Sequence, residues 1–169
     1  TKAVASSANI NKHSGFMIVA PHKMWSRYAD DDLNSHRVDF RKILSHEYFH
    51  SYQQAHRLRA PDEQLGAVWL KEGSAEFAAN IVAAKAGWID WNHALLWRME
   101  MIQEALRDYP ELSISMNETT PQKEEIDKKY EHVVTYEMGF WATAFAASIS
   151  SNDAILKDYW DDLEKYGWE

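Results

Sequence analysis

Two histidines four residues apart, with a glutamate beside the first, form His46-Glu47-Tyr48-Phe49-His50 in a segment of helical pattern. On a helix, residues four apart stand one turn above each other on one face, so both imidazoles can address a single ion. Glu47 then lies within reach of a water on that ion. Zinc favours nitrogen ligands of this kind, and a catalytic zinc takes three protein ligands and keeps one position open. A third ligand is therefore required. Trp69-Leu70-Lys71-Glu72-Gly73-Ser74-Ala75-Glu76-Phe77 offers it. Glu72 and Glu76 share a helix face, so one carboxylate can bind the ion while the other accepts the spare N–H of a ligating histidine. Gly73 lowers helix propensity, which makes sense if this helix lies close against the one bearing the histidines.

At these residues the chain resembles the gluzincin zinc metallopeptidases, the thermolysin-like and leukotriene-hydrolase-like group. In that group H-E-x-x-H sits on one helix and a glutamate on the next completes the site, within a W-L-x-E-G-x-A-E-[FY] block. The resemblance implies His46, His50 and Glu72 as zinc ligands, Glu47 as general base and Glu76 as the brace of a ligating histidine, foremost His46. It also implies a tyrosine on a later helix that donates to the developing oxyanion. Tyr136, in Tyr136-Glu137-Met138-Gly139-Phe140, matches in type, spacing and nearby glycine. His132, one turn earlier, could assist. Tyr130, at the end of a charged segment, is a weaker candidate for the same role. Against this stands the metzincin pattern, which would use His56 as third histidine. That pattern needs a glycine where this chain has Gln53, and if the helix continues His56 turns about 240° away from His50. His56 then reads as a solvent-facing residue near a helix C-terminus, where partial positive charge is favourable.

The resemblance further implies an α+β, predominantly helical, zincin-like catalytic domain with a short N-terminal edge strand beside the cleft. Residues 1–169 would form one such domain, a piece of a larger protein being equally compatible. Gly15-Phe16-Met17-Ile18-Val19-Ala20, closed by Pro21, is a short apolar run rich in β-formers and reads as that strand. Gluzincin aminopeptidases carry G-x-M-E-N there. In this chain Ile18 and Val19 replace the amine-gripping Glu and Asn, which disfavours aminopeptidase activity and favours cleavage within a chain. Helices are expected over about 36–57, capped by the polar turn at 30–35, then 69–86, 91–108, 132–149 and 153–166. The third shows Trp91, Leu95, Met99, Ile102 and Leu106 at helical spacing, and the last Ile155, Tyr159, Trp160 and Leu163. These apolar residues read as core. The charged stretch 117–129, with Pro121, reads as a loop flanking the cleft.

Composition sets the outer bounds. With 169 residues, 46% of them hydrophobic, and eight tryptophans, the chain suits one domain with a sizeable aromatic core. A net charge of −8 without a basic run argues against nucleic acid as a partner. No cysteine is present, so zinc here would be held by histidine and carboxylate, and the redox compartment stays open. No run approaches membrane-spanning length, and no signal peptide is visible at Thr1. The small, polar Thr1–Asn11 segment suits a mature or trimmed chain, and likeness to secreted relatives leans toward export or the periplasm. The function expected is hydrolysis of a peptide or protein substrate. The alternatives are a zinc-containing module that binds peptide without cutting it, and a structural helical domain without metal.

Overall fold

A helix that buries ten residues along eighteen positions, Val68–Lys85, is the centre on which several other described helices pack. The computed structural model describes residues 5–11, 14–19, 35–56, 67–116, 119–130 and 132–166. In chain order these give strands β1 (Ala5–Asn11) and β2 (Ser14–Val19) and helices α1 (Ser35–Ala55), α2 (Val68–Lys85) and α3 (Trp91–Asp108). A 3₁₀ turn at Ile114–Met116 precedes α4 (Thr120–Tyr130). A π-helical turn (Val133–Met138) runs into α5 (Gly139–Ile149), and a second (Ala154–Asp158) runs into α6 (Tyr159–Tyr166). Helix α2 packs against α1, α5 and the first π turn, and β1 lies alongside α1.

The α+β expectation is overturned. From Ser35 onward every described element is helical, and the body of the molecule is an all-helical small domain. Among the described residues, extended structure is confined to a hairpin in which β1 and β2 pair antiparallel with each other, Ala5 opposite Val19 and Asn9 opposite Gly15. The physical reason lies in periodicity: each later described apolar segment repeats at helical spacing, so among the described residues no third strand extends the pair into a layer. Among the described residues the apolar run through Val19 is therefore half of a hairpin and not the edge of a larger sheet. Of the polar turn expected at 30–35 to cap α1, residues 30–34 lie outside the described residues.

A second correction concerns the expected loop at 117–129, which is largely helix α4. Its start carries a reciprocal cap: the Thr119 N–H donates to Gln122 Oε1 at 2.8 Å, and the Gln122 N–H donates to Thr119 Oγ1 at 3.4 Å. Pro121 sits in the first turn, where its missing N–H costs nothing. The Lys123–Asp127 pair spans one turn, and Ile126 is buried. Charge had masked a helix with two buried anchors, Ile126 and Tyr130.

Two apolar clusters flank α2. Leu112, Ile126, Tyr130 and Val134 form one. Phe77, Phe140 and Ala147 form the other, with Trp91, Leu95 and Trp141 packed on it. The stripe expected on α3 faces inward, but only Ile102 of its apolar residues is fully buried. On the last helical segment Trp160 and Leu163 are buried, while Ile155 and Tyr159 are half-buried. Among the described residues no helix is long and apolar enough to cross a membrane.

Candidate metal centre

Helix α1 presents His46 and His50 on one face, both buried, with ring centroids 4.5 Å apart. Helix α2 brings Glu72 to them. Glu72 Oε2 lies 3.1 Å from His50 Nε2 and 3.5 Å from His46 Nε2. One donor atom from each of the three residues falls within 4.8 Å of the others, a grouping that could hold a metal ion. Burial raises the Glu72 carboxyl, but hydrogen bonds from His46 and His50 and the charges of His50 and Lys71 outweigh it and hold Glu72 well below the usual carboxylate range.

The tautomer of each ring follows from what faces its Nδ1. Gln53 donates through Nε2 to the Lys71 carbonyl at 2.8 Å and to Ser74 Oγ at 2.9 Å. A carbonyl can only accept, so the amide orientation is fixed and Gln53 Oε1 is the atom 2.7 Å from His50 Nδ1. His50 therefore carries a proton on Nδ1, and Nε2, which faces Glu72, is the nitrogen placed to ligate a metal. His46 Nδ1 faces Glu76 Oε1 at 3.0 Å, an ion-pair distance, though off the line of a well-aligned hydrogen bond. Burial pushes His46 down, yet Glu72 and Glu76 together lift it to about 9. Gln53 is the residue that sequence reasoning missed here. It had registered only as a helix-compatible replacement for a glycine, whereas Gln three residues after a candidate ligand is a recognisable brace.

Glu76 braces His46 and is itself held. Lys42 Nζ lies 3.0 Å from Glu76 Oε2, and Arg98 of α3 donates to the same oxygen through Nη2. Burial raises the Glu76 carboxyl, and the charges of Lys42 and Arg98, with His46, bring it well below the ordinary range. Arg98 is 1% exposed. Its other arm, Nη1, donates to Glu137, and its guanidinium lies 4.5 Å from the centre of the Phe140 ring. Arg98 was also missed, although the signal was present: it stands three residues after Leu95 and four before Ile102, inside the apolar stripe of α3. An arginine in such a stripe demands buried acidic partners.

Tyr136 sits in the first π turn with its ring centroid 6.0 Å from that of His46. Burial first, then the charges of Glu72, Glu76, Asp127 and Glu47, push its phenol far above the ordinary tyrosine value, so it is a proton-bearing donor throughout the neutral range. Glu47, half-buried on α1, is thus close enough for its charge to be felt at Tyr136. The sequence reading had placed Tyr136 in an ordinary helix. The π turn instead turns Val134, Thr135 and Glu137 inward together, and such turns recur at functional sites.

Gly73 does not face the histidine helix, as expected, but Gly139. A Cβ at Gly73 would stand 2.2 Å from the Gly139 carbonyl carbon and oxygen, and a Cβ at Gly139 would stand 2.6 Å from the Trp69 carbonyl oxygen. Helices α2 and α5 therefore touch backbone to backbone, one residue past Glu72 and three past Tyr136.

Other candidates fall elsewhere. His132 packs edge-on against Tyr136 at 5.5 Å and lies 3.4 Å from Asp127, but it is mostly exposed. Tyr130 is buried in the Leu112 cluster and donates to Glu111 at 2.9 Å, away from the histidines. His56 is not solvent-facing: its Nδ1 lies 3.0 Å from Glu164 and 3.4 Å from Asp161, tying the end of α1 to α6. Comparison of the chain with protein-family models, with curated proteins and with solved structures found no match.

Proposed function

We propose that the chain is a zinc-dependent peptidase of gluzincin type, acting on peptide or protein substrates, with His46, His50 and Glu72 as ligands. The reading is carried by one observation: two imidazole nitrogens and a carboxylate oxygen meet in a buried cluster, with Glu47 on the same helix and Tyr136 above His46. Two of the three donor separations, 3.1 and 3.5 Å from Glu72 to the rings, lie near the edge of about 3.3 Å for a tetrahedron with arms of about 2.0 Å, and all three donors fall within 4.8 Å of one another. The Nδ1 proton of His50, held by Gln53, leaves Nε2 free to ligate. The donor set of two nitrogens and one oxygen suits zinc and matches catalytic sites that keep a position open.

When bound, zinc would lower the pKa of a coordinated water toward neutrality and polarise the scissile carbonyl. The protein supplies the remaining chemistry. Glu47 takes the proton from the attacking water and hands it to the leaving amine. Tyr136, kept protonated by its surroundings, donates to the oxygen that gains charge as the carbonyl carbon becomes tetrahedral. Glu76 and Gln53 hold the two imidazoles in their ligating tautomers.

A quenched peptide library separates this reading from a module that binds peptide without cutting it. The zinc-loaded chain is expected to cleave, a chelator to abolish cleavage and added zinc to restore it. Glu47→Gln should retain zinc but lose turnover by ~10²–10⁴-fold, the usual worth of a general base. Near-normal turnover in that variant would remove Glu47 from its assigned role.

A further inference from the structure

We propose that Arg98 is a positioning residue that aligns both halves of the site at once. It sets the brace of His46 through Glu76 and the placement of Tyr136 through Glu137. The inference rests on the peptidase reading above but concerns residues outside its ligand set and its acid–base pair.

The argument begins with the two oxygens of Glu76. Oε2 receives Arg98 Nη2 and lies 3.0 Å from Lys42 Nζ, while Oε1 faces His46 Nδ1 at 3.0 Å. Two cations on one oxygen fix the rotation of the carboxylate and leave the other oxygen for the imidazole. The second arm of the guanidinium holds Glu137, the residue after Tyr136 in the π turn. The backbone contact between Gly73 and Gly139 sets how closely α2 and the helix after Tyr136 approach. The packing beside that contact is apolar, as where Phe77 meets Phe140, and has little directional preference. The link from Glu76 on α2 through Arg98 to Glu137 adds a directional tie one residue from Tyr136, whose ring lies 6.0 Å from that of His46. A lysine cannot substitute, since an ammonium on a flexible stem lacks the planar fork that reaches two carboxylates in fixed directions. A buried ion cluster is often no more stabilising than well-packed apolar residues in place of all its members, which fits a role in geometry.

The test uses the full chain with Arg98→Lys and Glu137→Gln, checked for fold by circular dichroism. Zinc affinity is read by competition with a chelator, the cobalt-substituted site by its visible spectrum, and turnover on a peptide cleaved by the parent chain. Arg98→Lys is expected to weaken zinc binding ~10-fold and shift the cobalt spectrum, the scale of losing a ligand's support. It should also lower kcat by about tenfold with KM changed by less than about twofold, the mark of an interaction made in the transition state. Glu137→Gln should leave zinc affinity and the cobalt spectrum unchanged and lower kcat alone. A folded Arg98→Lys with parental zinc affinity and kcat overturns the proposal. If Arg98→Lys does not fold, parental kcat in Glu137→Gln overturns it instead. A parent chain that binds zinc without cleaving defeats the peptidase reading, yet the affinity and spectrum of Arg98→Lys still decide the role of Arg98. A parent chain that binds no zinc defeats both.

Discussion

Helices α2 and α3 have the same length, 18 residues, and lie in one molecule, but α2 buries ten residues and α3 only two. Those ten include Glu72, Ser74, Glu76 and Asn80, and the two on α3 are Ile102 and Arg98. Leu96 and Trp97 of α3 stay exposed. Apolar character therefore does not decide depth here. Helix α2 is enclosed because glycine lets α5 touch its backbone on one side while the histidine helix covers another. Its buried polar groups are tolerated because each has a partner: Glu72 the two imidazoles, Asn80 the Glu76 carbonyl at 2.7 Å, Ser74 the Gln53 amide. Helix α3 presents one cation to the site, packs a half-buried apolar stripe on the two clusters and turns its other face outward.

The sharpest way to break this contrast is Gly73→Ala. The new Cβ meets backbone atoms that cannot rotate away, so a loss of about 3 kcal/mol or more is expected in denaturant unfolding, the upper range for overpacking. A tolerated alanine would mean that α2 and α5 do not touch as described. Next in size, Gln53→Leu removes the acceptor that fixes His50 Nδ1–H. Zinc affinity should fall ~10–100-fold in chelator competition, and an unchanged value would dismiss Gln53 as a brace.

The pH dependence follows from the raised His46. A folded-state value of about 9 against 6.5 in a free imidazole means that His46 contributes stability to the metal-free protein below pH 6.5. That contribution is lost as pH rises through about 9. Glu72 and Glu76, lowered from 4.5, contribute above that pH and lose their contribution as pH falls through their folded values. Below pH 9 a zinc ion must displace the His46 proton. Uptake at pH 7 should release about one proton, and affinity should climb about tenfold per pH unit before levelling near 9. Calorimetry in buffers of different ionisation enthalpy measures this, and no proton release would place the titration elsewhere. The smallest effect is expected on the outer face of α3, where Leu96→Ser should alter stability by less than about 0.5 kcal/mol. A larger loss there would show that α3 is more enclosed than its exposure indicates.

The cluster of His46, His50 and Glu72 was legible because its spacing is local. Four residues make one helical turn, and the Glu72–Glu76 pair repeats that turn on the next helix. The reading failed where a pattern had more than one structural use. A charged stretch suits a loop or a surface helix, and only the Thr119–Gln122 cap distinguishes them. A strand-like run at Gly15–Ala20 suits a sheet edge or a hairpin, and the partner strand decides. His56 looked free because its partners, Asp161 and Glu164, lie more than a hundred positions away in the chain.

Sequence alone determined the residues able to ligate, the helical faces that carry them and the exclusion of cysteine chemistry, because these depend on residue type and on a period of 3.6. Tertiary structure alone decided that Gly73 meets Gly139, that Arg98 joins Glu76 to Glu137 and that Tyr136 rides on a π turn over His46. Those contacts join distant segments, and which helix faces which is set by the packing of the whole chain, which no local repeat encodes.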